Sequence, residues 1–374
     1  SRGLGDVYKR QVIMAGGVGT RFWPKGTTKL PKQFIKIADE NDTLLQQAYR
    51  RLEGVFHDSK IFIVTNVLYK NEVKKQLPKI PEDNIICEPI GRNTAPCIGL
   101  ACLFINQFET KANVLVVAAD HLISNETEFH RVIKSGLKFV GDFGGIVTLG
   151  IHPTKPETGY GYIQYDSEKV TEVELEKNGE STFEKIYKVK TFAEKPNPEV
   201  AKAFLESGDF LWNSGMFIFR TDTMMEEIKN FMPELFESLE KLRENLLSND
   251  FMKILEKEYS KLKSISIDYG VMEKAKDVYI IRSHFGWNDV GAWDEVYNIK
   301  DKDHNGNVNQ GRTVAINTKN CLIINDQKMV ATIGVEDLLI INTDNGLLIC
   351  KRGEAQSVKE VVDYLRRKGM EQFL

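Results

Sequence analysis

The sequence predicts an α/β fold with a mixed, mainly parallel sheet, followed by a small β domain and a closing helix. Short β-rich apolar runs alternate with amphipathic helical stretches through the first three quarters of the 374 residues, the pattern of strands joined by crossover helices. From about Asp303 the texture changes to short strands separated by Asn, Asp and Gly turns. With 42% hydrophobic residues, the chain can bury one large core and a smaller one.

Residues 1–11, SRGLGDVYKRQ, are polar, basic and unpatterned, and no turn chemistry separates them from the apolar run Val12–Ala15. They read as an extension foreign to the fold, which sets the first domain at 12–302 and the β domain at 303–374. Val12–Ala15, Lys60–Thr65, Val114–Ala118 and Ile146–Leu149 are runs suited to a sheet covered on both faces. Helices Thr43–Leu52, Thr94–Gln107 and Glu126–Val140 fall between them, the second opened by Thr94 and Pro96. Asn197-Pro198-Glu199 starts another helix, with Gly208 placed to stop it, and helical patterning resumes from Thr223 to about Leu262. The β domain has strands at Thr313–Asn317, Leu322–Ile324, Met329–Ile333, Leu338–Ile341 and Leu347–Cys350. The closing helix aligns Val358, Val361, Val362 and Leu365 on one apolar face.

Lys and Arg total 50 against 53 Asp and Glu, and a net charge of −3 gives no general attraction to nucleic acid or an anionic membrane. The five cysteines form no CxxC pair, which argues against a disulfide framework and a zinc site. They read as reduced packing residues of a cytoplasmic protein. No apolar run approaches the ~18 residues that span a bilayer, and the opening lacks the apolar stretch of a signal peptide.

Chemistry concentrates first in Gly16-Gly17-Val18-Gly19-Thr20-Arg21, where a strand ends and backbone amides become free to cradle phosphate. It is no P-loop, because no Gly-Lys-Ser/Thr follows, and no dinucleotide fingerprint, because Phe22 stands where the last glycine would. A glycine cluster after a strand is as often a tight turn as a nucleotide site. Arg21 and Lys32 shift the balance, since a triphosphate needs fixed positive charge, and Trp23-Pro24 and Pro31 stiffen the stretch between them.

Glu88-Pro89-Ile90-Gly91-Arg92-Asn93-Thr94-Ala95-Pro96 leads into a helix N-terminus, whose unpaired amides favour an anion or a polar base edge; alone it reads as a capped helix. Asp120, with His121 beside it, stands at the carboxyl end of an apolar strand run, where a lone Asp is often only a cap. Glu157 to Ile163 offers a tight glycine turn beside aromatics, suited to a hexose. Glu194 and Lys195 end a strand with an acid for hydroxyls and a lysine for phosphate, though singly they read as a surface pair. Asn213 supplies an amide on a turn, beside a Trp212 that alone reads as a core aromatic, and Asp268 and Glu273 add an acidic pair.

The stretch GGVGTRFWPKGTTKLPKQF resembles the signature of the nucleotidylyltransferases that make NDP-sugars, and its PKQF ending is similar to the mannose-1-phosphate guanylyltransferase branch. Gly26 departs from the serine usual after Trp-Pro. EPIGRNTAP resembles the family's second motif, Val12 to Leu374 is covered, and the segments around Glu157, Phe192, Trp212 and Asp268 follow in the family's order. The resemblance implies a Rossmann-like nucleotidyltransferase domain, a β-helix-like C-terminal domain, and transfer of GMP from GTP to mannose 1-phosphate. It implies that Gly16, Gly17, Gly19, Thr20, Glu88, Arg92, Asn93 and Thr94 bind nucleotide; hydrogen-bond complementarity, rather than the motif, suggests Glu88 as acceptor for the guanine N1 and N2 donors. Arg21, Lys32 and Lys195 become the catalytic cations, and Gly161, Glu194, Asn213 and Asp268 hold the sugar phosphate. Asp120, in a stretch where Ala118 replaces the usual proline, and Asp289, in FGWNDVGAW, become the ligands of a catalytic Mg2+. Longer members add an isomerase domain for which the sequence leaves no room, so one activity is expected. A glucose 1-phosphate enzyme and a silent GDP-mannose-binding paralogue are the alternatives; PKQF and EPIGRNTAP weigh against the first, and the intact cations and carboxylates against the second. Oligomeric state stays open, a homodimer included.

Overall fold

The structure, a computed structural model, describes residues 8–17, 19–177, 180–193 and 195–374. The chain divides into two compact units that are not consecutive in sequence. One comprises the stretches ending at Gly16, from Tyr49 to Ala118 and from Ile123 to Trp287; the other comprises Gly17–Ala48, Ala119–Leu122 and Asn288–Leu374.

Among the described residues, the first unit is built on a nine-stranded sheet. Its strands are β1 (Lys9–Ala15), β2 (Ile61–Asn66), β3 (Ile85–Glu88), β4 (Asn113–Ala118), β5 (Ile146–Ile151), β6 (Tyr162–Lys177), β7 (Glu180–Ala193), β8 (Phe210–Arg220) and β9 (Val278–Ser283). They lie in the order β3-β2-β1-β4-β8-β5-β9-β7-β6. The first four are parallel, as is the β5–β9 pair, while β8 runs antiparallel between β4 and β5. Antiparallel β6 and β7 form a long hairpin at the edge. The helix Thr94–Ile105 is buried almost all round. It packs against Val12, Phe62 and Val114 of the sheet and against Ile228, Leu239 and Tyr259 from the three helices Thr221–Phe231, Pro233–Glu244 and Phe251–Lys261.

One expectation fails at the start of the chain. Lys9, Arg10 and Gln11 are not foreign to the fold: they pair with Asn113, Val114 and Leu115 in β4, and Gln11 is fully buried. A strand's polar first residues carry no hydrophobic signal, yet their backbone groups complete the ladder. Residues 1–7 lie outside the described residues.

The second unit winds short strands into a coil. β10 (Val308–Gln310), β12 (Leu322–Asn325) and β14 (Leu338–Thr343) stack in parallel, with Val308 opposite Leu322 and Leu322 opposite Leu339. β11 (Thr313–Ile316) and β13 (Val330–Ile333) make a parallel pair, and β15 (Gly346–Lys351) turns back antiparallel on β14. The core joins Leu322, Ile324, Leu339 and Ile341 to Val358, Val362 and Leu365 of the closing helix Val358–Arg367. Phe22 and Trp23 belong to the same core, as does Trp293. Trp23 Nε1 donates to the Phe373 carbonyl at 2.8 Å, Trp293 Nε1 to the Trp23 carbonyl at 3.2 Å, and Asn345 Nδ2 to the Pro24 carbonyl at 3.1 Å. The stretch after the glycine loop is thereby anchored at both ring and backbone. Among the described residues no helix is long and apolar enough to cross a membrane.

Candidate active site

In the second unit the residues converge on one ammonium group. Lys32 is 6% exposed, and its Nζ donates to Asp120 Oδ2 at 3.0 Å and to the Asp289 carbonyl oxygen at 2.5 Å. The Phe22 ring centroid lies 5.6 Å away. A buried lysine must be paired, and here both partners come from the two aspartates that the sequence singles out. Burial pushes the Asp120 carboxyl up, but the charges of Lys32 and His121 outweigh it and hold it below the usual carboxylate range. Asp289 is fixed by its neighbours. Val290 has φ 45°, an outlier for a β-branched residue, and it is fully buried with its N–H on Asn288 Oδ1 at 2.7 Å. Such strain costs on the order of 1–3 kcal/mol and persists where packing over-determines it. Carboxylate and carbonyl oxygens gathered around a cation position are the donors that a hard divalent ion takes.

The glycine loop rests on the same lysine. Gly19 has φ 57°, and a Cβ there would meet Lys32 Cβ at 2.6 Å and Lys32 N at 2.9 Å. Glycine is required twice over. Gly17 has open space where a Cβ would go, and its carbonyl accepts from Gln33 Nε2 at 2.9 Å. Gln33 is 2% exposed and escaped the sequence reading, although it lies inside PKQF. Thr20 opens a short 3-10 turn, and Arg21 is exposed.

The segment from Glu88 to Thr94, in the first unit, is more structural than the sequence suggests. Glu88 is 4% exposed, and Oε2 would lie 3.5 Å from a Cβ on Gly16. Burial pushes its carboxyl up to about 8, against a smaller opposing pull from Tyr259. Arg92 Nε and Nη2 donate to the carbonyls of Tyr259 and Ser260 at 3.1 and 2.9 Å, so the guanidinium fastens the loop to a helix end. The expected free amides at the helix start are occupied. Thr94 N–H donates to Asn93 Oδ1 and Ala95 N–H to the Ile265 carbonyl, while Pro96 has none. The Thr94 hydroxyl accepts from Ile267 N–H at 2.8 Å.

Residues expected on the sugar and nucleotide sides meet in the same unit. Asn93, Thr94, Lys195 and Asp268 line one pocket of about 630 Å³. Ser264, Ser266, Tyr269 and Lys274 line it too; Tyr269 lies inside the stretch from Asp268 to Glu273 that the sequence singles out, and the other three lie just outside it. The Gly161 carbonyl accepts from Asn213 N–H at 2.8 Å, and Asn213 Nδ2 donates to Asp268 Oδ1 at 2.6 Å. Asn213 sits within β8 rather than on a turn, because Gly215 at φ 68° and an irregular register against β5 bulge the strand there. Asp268 opens a π-helical turn, Asp268–Met272. The Tyr160 ring stands 5.2 Å from both Trp212 and Trp287, edge-to-face. Glu194 lies outside the described residues.

A mixed α/β sheet with a glycine loop at the end of its first strand, in a chain that also carries a β coil, has the make-up of a nucleotidyltransferase. The family model described as nucleotidyl transferase matches residues 10–306, and one described as the MannoseP isomerase/GMP-like beta-helix domain matches 311–365. A mannose-1-phosphate guanylyltransferase of Escherichia coli is 38% identical over 96% of the chain and 76% of its own length. One of Klebsiella pneumoniae is 38% identical over 97% and 75%. The solved structure described as mannose-1-phosphate geranyltransferase from Thermus thermophilus superposes with a TM-score of 0.82 at 30% identity, covering 96% of this chain and 99% of that one. The chain belongs to the nucleotidyl transferase family and, within it, to the mannose-1-phosphate guanylyltransferases.

Proposed function

We propose that the chain transfers GMP from GTP to mannose 1-phosphate with Mg2+, giving GDP-mannose and pyrophosphate. An oxygen of the sugar phosphate attacks the α-phosphorus in line as the bond to the β-phosphate oxygen breaks, so pyrophosphate leaves and no enzyme-bound intermediate forms. The protein's work is positioning and charge neutralisation. Amides of Gly16, Gly17, Gly19 and Thr20, with Arg21 and Lys32, hold the triphosphate. Asp120 and Asp289 would hold the Mg2+, which would supply positive charge against the reacting phosphates. Glu88, Arg92, Asn93 and Thr94 shape the nucleotide side. Lys195 steadies the incoming phosphate, and Gly161, Glu194, Asn213 and Asp268 read the sugar hydroxyls.

The observation that carries this reading is the convergence of Asp120 and Asp289 on Lys32, across sequence separations of 88 and 257. The names of the relatives support the substrate pair. Five free cysteines suit the cytoplasm. The test is pyrophosphate release across GTP, ATP, UTP and dTTP with mannose and glucose 1-phosphates. GTP with mannose 1-phosphate is expected to be the best pair, and a clear preference for dTTP or UTP overturns the guanylyl assignment.

A further inference from the structure

The Lys32 ammonium and a divalent ion would have the same first partner. Lys32 Nζ holds Asp120 Oδ2 at 3.0 Å and the Asp289 carbonyl at 2.5 Å, on a side chain only 7% exposed. Its stem has little freedom, because Gly19 packs directly against its Cβ and the Phe22 ring lies beneath its charge. An ion coordinating the same carboxylate oxygen at ~2.1 Å would stand within roughly 5 Å of the ammonium, a separation at which like charges repel even with the Asp120 side chain 35% exposed.

We propose that Lys32 antagonises the divalent ion at Asp120: the ion coordinates Asp120 tightly only when the ammonium releases Oδ2, and a phosphate oxygen is the partner that receives it. The ion then binds weakly alone and tightly together with a polyphosphate. This rests on Asp120 being a metal ligand. Lys32 has two successive partners, carboxylate before the nucleotide and phosphate after it, and its buried charge is compensated at each stage.

The test uses the full chain without nucleotide and Mn2+ alone as the probe, followed by the loss of the free-ion electron paramagnetic resonance signal. Lys32→Met and Lys32→Gln keep the stem without the charge. Each is expected to bind Mn2+ about tenfold to a hundredfold more tightly than the parent, the scale of one charge-assisted hydrogen bond removed from competition, while Lys32→Arg binds like the parent. Unchanged or weaker binding in the neutral variants overturns the antagonism. So does loss of the fold in both of them, seen by circular dichroism, since an antagonist's charge is dispensable to folding; one folded variant suffices for the comparison. Asp120→Asn separates the two ideas. If it weakens Mn2+ binding while the neutral lysine variants gain nothing, only the antagonism fails. If it has no effect, the assignment of Asp120 to the metal fails.

Discussion

Asn213 Nδ2 donates to Asp268 Oδ1 at 2.6 Å, tying a bulged strand to a π-helical turn 55 residues away in sequence. Because the Asn213 N–H also meets the Gly161 carbonyl, three of the proposed sugar contacts form one connected unit. Residues acting as a unit give non-additive losses. Asn213→Ala and Asp268→Asn are each expected to lower kcat/KM for mannose 1-phosphate by about 10- to 100-fold, the scale of one hydrogen bond to a charged group. The double variant should be little worse than the poorer single one. A steady-state double-mutant cycle measures this, and simple additivity would mean the pair does not act together.

Two glycines of one loop should respond oppositely to alanine. At Gly19 the positive φ and the contact with Lys32 leave no room for a Cβ, so Gly19→Ala should cost about 1–2 kcal/mol from backbone strain alone, with more from the clash. At Gly17 a Cβ meets nothing within 4 Å. Gly17→Ala should keep the parent's melting temperature yet lose activity where the backbone must approach phosphate closely. Urea unfolding alongside turnover checks both. A stable Gly19→Ala protein of full activity is incompatible with this geometry.

Glu88 makes stability fall as pH rises. Its folded pKa of about 8 stands above the unfolded value of 4.5, so the folded state holds a proton that the unfolded chain has lost between those two values. Stability is fully present below the unfolded value, declines through that window and reaches its floor above the folded one. Glu88→Gln removes the titration. It should melt like the parent near pH 5 and several degrees higher near pH 9, by up to a few kcal/mol in stability. Melting curves from pH 5 to 9 decide it, and parallel curves would falsify the buried-acid reading.

Asp120→Asn and Asp289→Asn preserve shape while removing charge. If both serve one ion, each should raise the Mg2+ concentration needed for half-maximal turnover and depress the rate, on the order of 10²–10³-fold for a lost charge-stabilising group. The double variant should be hardly worse than either single one. Circular dichroism should show all three folded. Full activity of either variant at limiting Mg2+ excludes that residue from the metal site.

Local chemistry made much of this protein legible before folding was considered. The apolar runs that became β2, β4 and β5 announced themselves by composition. Asn197, whose side chain accepts from Val200 N–H, and Gly208 at φ 76° mark the ends of their helix through their own side-chain and backbone preferences. The glycine loop, PKQF and EPIGRNTAP were equally plain, because each is a contiguous string.

What the sequence left hidden depends on distant partners. The polar start of β1 becomes a strand only because β2 and β4 flank it. The hairpin of β6 and β7 carries charges along most of its length, which masks its alternation. Asn213 looks like a turn until the bulge against β5 absorbs Gly215. The free amides expected at the start of the helix Thr94–Ile105 vanish because the Asn93 side chain takes the Thr94 N–H and the distant Ile265 carbonyl takes that of Ala95. Above all, Lys32 reads as one basic residue in a loop. Tertiary structure alone brings Asp120 and Asp289 to it, because a buried ammonium is stable only where folding gathers enough oxygen around it.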